Sequence, residues 1–450
     1  MSHTRTMSPI NRVRQLFRPF FRAGTAARRL TLALFLWGLG EGMWLYIRPL
    51  YVTELGGSPV QVGQALGMAG LAPLLVMLPA GRLIDRFGPR RLMIAGWWVG
   101  TVAAVVLALA PDWRWLLPGF FLYSVSSFAI PAMNAYVAQD ARRNALEGDA
   151  NRVMQMAVSS AFAAYLAGTI ISPIISGWLG QMFGLRIVFW VSAVWFALST
   201  LVVHSAPTEP VPNPEAAPIL ARKTPWWRFS AAQVRIYATL LLLFFFMGLG
   251  YALVPSYLED VYGLPVSVIG GLGAATAVGG TFWFLFLGRQ RSRPALLTAT
   301  GLMTLALLGL LLGPIGAGAL PVLIAVYFFL GTYMTVRATS LEVVGEHTPP
   351  QLQGTSFGMV ETLFGLGMFL GPLAAGELYS REPHLPFLVT ILALPLVMIL
   401  IWLMIRSPRA GEAQGSAAPV PTGTTANAPD VPERPAAQQK PLDVDPTLCR

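Results

Sequence analysis

The sequence predicts an all-α membrane protein, with twelve transmembrane helices in two pseudo-symmetric six-helix bundles. Three observations predict it. The 450 residues are 55% hydrophobic and only 12% charged, with a mean hydropathy of +0.59, whereas a soluble domain carries about 25% charged residues. Twelve apolar runs, each near the ~20 residues that cross a bilayer as a helix, fall at 30–52, 60–80, 92–110, 115–137, 153–179, 186–204, 236–258, 266–287, 295–313, 319–344, 355–377 and 386–405. The chain also repeats itself at an offset of about 206 residues. Pro49, Tyr51, Gly57, Pro59 and Val60 recur as Pro255, Tyr257, Gly263, Pro265 and Val266, and Gly81-Arg82 recurs as Gly288-Arg289.

Taken in order, residues 1–29 form a basic arm with Arg12, Arg14, Arg18, Arg22, Arg28 and Arg29. The run 30–52 is too long for a signal-peptide core and no small-residue cleavage site follows it, so it reads as a retained helix. With the next five runs it forms an N-terminal bundle, 30–204. Phe120-Phe121-Leu122 in span 4 recurs as Phe328-Phe329-Leu330 in span 10. In span 5, Gly168-x-x-x-Ser172-Pro173-x-x-Ser176-Gly177 recurs in span 11 as Gly367-x-x-x-Gly371-Pro372-x-x-Ala375-Gly376. Such glycines and prolines loosen a helix and let neighbours approach, so Gly168, Pro173, Gly177, Gly371 and Pro372 are expected to mark bends. The linker 205–235 is proline-rich early (Pro207, Pro210, Pro212) and basic later (Arg222, Lys223, Arg228), so no continuous helix spans it. A C-terminal bundle follows at 236–406. The tail 407–450 is rich in Ala, Pro, Gly and Thr, buries little and is expected to be disordered.

The net charge of +10 invites a nucleic-acid reading, but its placement argues for topology. If both termini are cytoplasmic, the cytoplasmic segments flanking the helices hold 23 of the 31 Lys+Arg, while the outer side holds Arg48, Arg114, Arg186 and Arg381. That is the positive-inside asymmetry of a multi-pass inner-membrane protein, with the basic residues meeting anionic lipid headgroups. No nucleic-acid partner is expected. The single cysteine, Cys449, permits no intramolecular disulfide. The two lysines, Lys223 and Lys440, lie in no phosphate loop, so the chain carries no ATPase of its own. The histidines His3, His204, His347 and His384 are scattered, with no H-E-x-x-H and no metal-ligand cluster. Neither a cofactor nor enzymatic chemistry is expected.

Between spans 2 and 3 stands Gly81-Arg82-Leu83-Ile84-Asp85-Arg86-Phe87-Gly88-Pro89-Arg90-Arg91, read as a tight charged hairpin. It resembles the G-x-L-x-D-R-x-G-R-R signature of the major facilitator superfamily, in the loop joining helices 2 and 3. The resemblance covers roughly residues 30–406. It implies alternating access between two parallel six-helix halves with substrate at their interface. It also implies a cytoplasmic gate in which Asp85 engages the start of helix 11, here Gly354-Thr355-Ser356, where a carboxylate suits a helix N-terminus. The span 5 motif resembles the G-x-x-x-G-P-x-x-G-G pattern of superfamily antiporters, with Ser172 and Ser176 in place of two glycines. One departure stands out. Drug-proton antiporters usually carry an arginine within helix 4, and span 4 here has none.

An ionised side chain near the bilayer centre costs about 2.5–3.5 kcal/mol and needs a reason. Glu41 lies about 11 residues, or roughly 16 Å, into span 1. It reads as a proton carrier or as a glutamate bonded to a neighbouring helix, and Gly38, Gly40 and Gly42 let that helix approach. Trp44 and Arg48, at i+3 and i+7, are expected on the same face, with Arg48 either in the pathway or snorkelling outward. Glu361 in span 11 carries the same two readings. Arg337 in span 10 can bind an anionic substrate group, pair with Glu361, or pair with Glu342. Asn134, Gln155, Tyr165, Tyr251 and Tyr333 add an aromatic, sparingly charged lining. The expectation is a monomeric secondary transporter exporting small lipophilic compounds in exchange for protons. The alternative is an uptake permease for a sugar or organic acid, by proton symport or facilitated diffusion. A membrane enzyme, sensor or scaffold ranks behind both.

Overall fold

The computed structural model describes residues 25–144, 150–207, 230–316, 318–348 and 353–404. Most of the basic arm, the centre of the linker and the tail lie outside them. Span 1 is Thr25–Leu45 continued by Arg48–Glu54 at a 51° bend. Spans 2 and 3 are Pro59–Phe87 and Pro89–Leu109. Span 4 is Trp113–Asp140 and span 5 is Ala150–Phe183. Span 6 is Leu185–His204, span 7 Ala231–Asp260 and span 8 Val266–Leu287. Spans 9 to 12 are Ser292–Leu312, Ala319–Glu346, Gln353–Arg381 and Leu385–Met404.

Contacts between span ends establish the alternation. At the face where span 1 starts, the proximal face, Arg29 donates to Ser205 O at the end of span 6. Arg90, opening span 3, donates to Ala206 O and His204 O, each at 3.0 Å. A cation at a helix C-terminus satisfies carbonyls that have no intrahelical partner. The second bundle repeats the device: Arg293, opening span 9, donates to Trp402 O near the end of span 12 and lies over its ring. At the opposite, distal face, Glu54 Oε2 accepts from Leu185 N (3.1 Å), and Tyr379 donates to Asp260 Oδ2 (2.7 Å).

The pairing of helices repeats as well. Span 1 packs on spans 5 and 6, as span 7 packs on spans 11 and 12; span 3 packs on span 6, as span 9 on span 12; span 2 on span 4, as span 8 on span 10. Even the interruptions recur. The break before Pro49 in span 1 matches the break at Ala252-Leu253, before Pro255, in span 7. Proline removes a helical N–H and clashes with the preceding turn, so both helices restart with proline in their first turn.

The bundles join along two crossed pairs, span 2 against span 11 and span 5 against span 8. A Cβ on Gly67 would lie 2.8 Å from Phe369 O, one on Gly376 2.6 Å from Pro59 O, and one on Gly270 2.6 Å from Gly177 Cα. Backbones therefore touch there, and every one of these approaches lies in the distal half of the molecule. Towards the proximal face, Gly358 of span 11 has open space beside it, and Gln155, Ser159 and Phe357 are exposed. The two bundles are closed against each other distally.

The structure corrects the hairpin expected at residues 81–91. Span 2 stays helical through Phe87 and span 3 begins at Pro89, so Gly88 alone makes the turn. Its φ of 81° lies in the region that L side chains avoid, which explains the glycine. Gly184, with φ 82°, makes the same one-residue turn between spans 5 and 6. Pro173 and Pro372 sit inside helices that run through them, and the glycines near them are contact positions. Gly168 abuts Leu39 and Phe35 of span 1, Gly371 abuts Phe245 and Leu249 of span 7, and Gly177 abuts Ser267 of span 8.

Overpacking the span 5–8 contact tests this closure. Gly270→Val pushes a side chain into the Gly177 backbone, at a cost of about 1–3 kcal/mol. The expected result is faster labelling of a Tyr251→Cys probe from the distal side. Labelling at the parental rate overturns the assignment of this contact to the closure.

Candidate functional site

Glu41 lies in span 1 one turn before the break, half-buried among spans 4, 5 and 6. Tyr165 of span 5 donates to its Oε2 at 2.9 Å. Tyr123 of span 4 and Trp37 of span 1 also reach the carboxylate. The chamber forms because span 1 is small on the faces it turns to its neighbours. Gly38 meets the Tyr165 backbone, Gly42 meets Thr169 and Ser172, and Ser192 of span 6 donates to Gly40 O at 2.8 Å. Trp37 stacks with Tyr123 (6.1 Å between centroids) and tilts against Trp97 and Phe196, which fixes the aromatic wall. Among the described residues Glu41 has no salt-bridge partner; Arg48 is the cation that acts on it from farther away.

Trp44 stands apart from this lining. It is 1% exposed and packs on Phe120, Tyr123 and Phe189 inside the first bundle. Glu41 and Trp44 share the unbroken helix Thr25–Leu45 and both meet Tyr123, whereas the bend between Leu45 and Arg48 removes Arg48 from the face that the spacing assigned to all three. Arg48 nevertheless comes inward. It lines a cavity of about 20 Å³, room for roughly one water, together with Tyr46, Pro49, Tyr251, Pro255 and Tyr327. The breaks of spans 1 and 7 thus face each other across the bundle interface. Tyr327 is 3% exposed and its hydroxyl has no hydrogen-bond partner among the described residues.

The second bundle holds the other charges. Arg337 pairs with Glu361 through two hydrogen bonds, Nε to Oε1 at 3.2 Å and Nη2 to Oε2 at 2.6 Å. The guanidinium also lies over the Phe364 ring at 4.8 Å, a cation–π contact. Of the three partners open to Arg337 in the sequence, Glu361 is the one it holds. The pair is only partly withdrawn from solvent, with side-chain exposures of 42% for Arg337 and 20% for Glu361. Tyr333, one turn from Arg337, stacks on Tyr251 with centroids 5.2 Å apart and planes at 14°. A continuous polar and aromatic path therefore runs from Glu41 and Tyr165, past Tyr46 and Arg48, to Tyr251, Tyr333 and the Arg337–Glu361 pair.

Tyr46, Tyr123, Trp37, Phe364 and Tyr327 belong to this path and were not singled out from the sequence. Their one local signal is aromatic spacing near an ionisable residue: Trp37 and Tyr46 flank Glu41, and Phe364 follows Glu361 by three residues. Asn134 is exposed on span 4 and no hydrogen bond ties it to Glu41. In the span 2–3 motif, Arg90 caps span 6 within its own bundle, and Arg86 lies over the neighbouring Phe87 ring. Arg91 is exposed. Gly81, Arg82 and Asp85 lie on the last turns of span 2, but the side chains of Arg82 and Asp85 lie outside what the structure describes, so the expected Asp85 gate contact does too. Among the described residues no cluster of metal-ligating side chains occurs.

The family model described as Major Facilitator Superfamily matches residues 30–372. The chain belongs to the major facilitator superfamily. Multidrug resistance protein 1 of Bacillus subtilis (strain 168) is 26% identical over 388 residues, covering 82% of this chain and 94% of that protein. A protein described as a multi-drug resistance efflux pump PmrA homolog, from Lactococcus lactis subsp. lactis (strain IL1403), is 32% identical over 158 residues, 34% of this chain and 37% of its own. Among solved structures, the nucleoside transporter NupG superposes with a TM-score of 0.67 at 13% identity, covering 86% of this chain and 100% of that one. A bacterial homologue of the human lysosomal transporter Spinster does so with a TM-score of 0.65 at 16% identity, covering 85% and 98%. At such identities the two structures establish the fold. The chain is a multi-pass membrane transporter for small molecules, with the superfamily's two-bundle architecture.

The Arg337–Glu361 pair is open to a double-mutant cycle. Exposed pairs contribute about 0–1 kcal/mol, whereas breaking a fully buried pair costs about 3–5 kcal/mol. With partial exposure, Arg337→Gln or Glu361→Gln alone is expected to cost about 1–2 kcal/mol, and the double variant to recover part of that loss. Thermal unfolding of the purified protein in detergent reads both. Strict additivity of the single losses would show that the pair contributes nothing.

Proposed function

We propose that this transporter exports small lipophilic organic compounds across the inner membrane in exchange for protons, as a monomer alternating access between its two bundles. The observation that carries the reading is Glu41, a carboxylate inside a span whose hydrogen-bond partner is a tyrosine hydroxyl rather than a cation. Such a group can hold a proton or give it up without breaking a salt bridge. In its charged form it can receive a cationic or polarised substrate between Trp37, Tyr123 and Tyr165. The aromatic walls suit flat apolar compounds and offer few hydroxyl-binding groups of the kind a sugar demands. The names of the relatives, multidrug resistance and multi-drug efflux proteins, support export over uptake.

The proximal face is the cytoplasmic one in this reading, and both termini are cytoplasmic. The excess of arginine beside the proximal span ends supports that orientation. The distal closure then corresponds to a state reached from the cytoplasm, the side from which an exporter loads. Gly81 to Arg91 serve as the cytoplasmic gate, with Asp85 meeting the start of span 11 when that side closes.

The deciding experiment follows accumulation of ethidium in efflux-deficient cells. Cells expressing the wild-type protein are expected to hold several-fold less dye than vector controls. Glu41→Gln or collapse of the pH gradient should restore the control level. A wild type that leaves dye levels unchanged while raising accumulation of a sugar or organic acid makes the protein an importer and overturns the proposal.

Asp85→Asn tests the gate. Weakening a contact made when the cytoplasmic side is closed shifts the population toward cytoplasm-open molecules. The expected readout is faster modification of a Gln155→Cys probe by a soluble maleimide. An unchanged rate removes Asp85 from the gate.

A further inference from the structure

The Arg337–Glu361 pair is more than a proton carrier needs, and Glu41 already supplies a carboxylate held by a tyrosine hydroxyl with no salt-bridge partner among the described residues. Three features of the pair point to a ligand. It is bidentate, so the guanidinium already presents the parallel donors that a carboxylate accepts. Its cation is half-exposed, so a ligand in the cleft can reach the guanidinium. It stands between aromatic rings, Phe364 beneath the guanidinium and Tyr333 one turn away, the latter stacked on Tyr251 of the central path. A flat acid lying on those rings meets Arg337, which lies well inside span 10 rather than at its end.

We propose that Arg337 and Glu361 form a proton-gated subsite for an aromatic organic anion. Glu361 takes a proton from the aqueous side of the cleft and becomes neutral. The two hydrogen bonds of Arg337 are then released from Glu361 and made to the carboxylate of the ligand, whose ring system packs on Phe364 and Tyr333. Charge balance couples the two events. The resting pair is neutral; the pair with one proton and one anion is again neutral. An anion arriving without the proton leaves an uncompensated negative charge inside the bilayer region, and a proton arriving without the anion leaves an unpaired guanidinium there. Proton and anion therefore bind cooperatively, and each raises the affinity for the other.

The charged and titratable groups around Glu361 are consistent with this assignment. From span 10 it meets Arg337, with Tyr333 one turn on; from span 7 Tyr251 stands behind Tyr333; Arg48 acts on Tyr333 from across the interface. Glu342, on span 10, lies on an exposed part of that helix. No second carboxylate among the described residues bonds to Arg337. The inference rests on the cleft being the transport path. It adds a substrate class, a proton-linked aromatic acid, to the lipophilic compounds handled through Glu41.

The test uses the full chain in lipid nanodiscs and 2-naphthoate as the probe. Calorimetric titrations in two buffers of different ionisation enthalpy give the protons taken up per naphthoate bound, with empty nanodiscs subtracted. The wild type is expected to take up one proton per naphthoate, and its Kd to rise about tenfold per pH unit once Glu361 is ionised. Glu361→Gln should bind naphthoate with no proton uptake and no dependence on pH, because the arginine is already free. Arg337→Gln should lose binding. The double variant Arg337→Gln/Glu361→Gln leaves no unpaired charge; it should unfold as a cooperative protein and still bind no naphthoate. Wild-type binding without proton uptake, absence of wild-type binding, or binding retained by the double variant overturns the subsite. Ethidium export is read separately in cells: loss of the naphthoate result with Glu41-dependent export intact overturns the subsite alone, and loss of export with naphthoate binding intact overturns the export reading alone.

Discussion

Backbone-to-backbone contact at glycine is the constraint on which this architecture depends. Lipid offers no hydrophobic drive for one helix to meet another, so association rests on close packing and interhelical polar contacts. Between the two bundles the packing is made by glycines of spans 2, 5, 8 and 11, where a Cβ would enter a neighbouring backbone. Such a surface is smooth. It has little side-chain interdigitation to undo, and its polar links are sparse, as with the 3.2 Å bond from Ser267 N to Gln181. An interface built this way can hold two rigid bundles together at one end and still part, which is what alternation between two accessible faces demands.

Within each bundle the opposite holds. Helix ends are tied by charges that satisfy carbonyls and amides: Arg29 and Arg90 on span 6, Arg293 on span 12, Glu54 on Leu185 N. These ties lie near the faces, where water and headgroups lower the cost of charge, and they join elements of the same bundle. The bundles are stiff by electrostatics at their rims and by aromatic packing within, as at Trp44 with Phe120 and Phe189. The contrast between tied bundles and an untied seam follows from where arginine and glycine fall in the chain.

Much of this was readable from residue order alone. A bilayer demands apolar runs of fixed length, so the spans declared themselves, and the recurrence of Pro49 as Pro255 marked the two halves as copies of one repeat, without marking the breaks that the structure shows beside those prolines. Three further things were not readable. Span 2 continues through the charged motif to Phe87, because charge on a helix end facing headgroups costs little, and hydropathy cannot tell a charged helix from a charged loop. Arg48 leaves the face it was expected to share with Glu41 and Trp44 because periodicity holds only along an unbroken helix, and the break follows Leu45. The partner of Arg337 stood among three because pairing between spans 10 and 11 depends on how two helices are rotated, and sequence spacing carries no information about that. The Asp85 contact expected from the span 2–3 motif falls on side chains outside the described residues.

The two intramembrane carboxylates now have different work open to them, and the difference lies in their partners. Glu41 is held by a hydroxyl, so gaining or losing a proton changes the net charge of its chamber by one. A neutral or cationic compound can enter as the proton leaves without further rearrangement. Glu361 is held by a guanidinium, so its proton changes the charge of the pair unless an anion accompanies it. Exchange suits the first site and joint binding suits the second. On the two proposals made above, a cleft with both sites would sort compounds by charge, with cations and neutral molecules drawing on the first bundle and acids on the second. The aromatic bridge of Tyr46, Tyr251 and Tyr333 lies between them, and it crosses the very seam that must part for either to move.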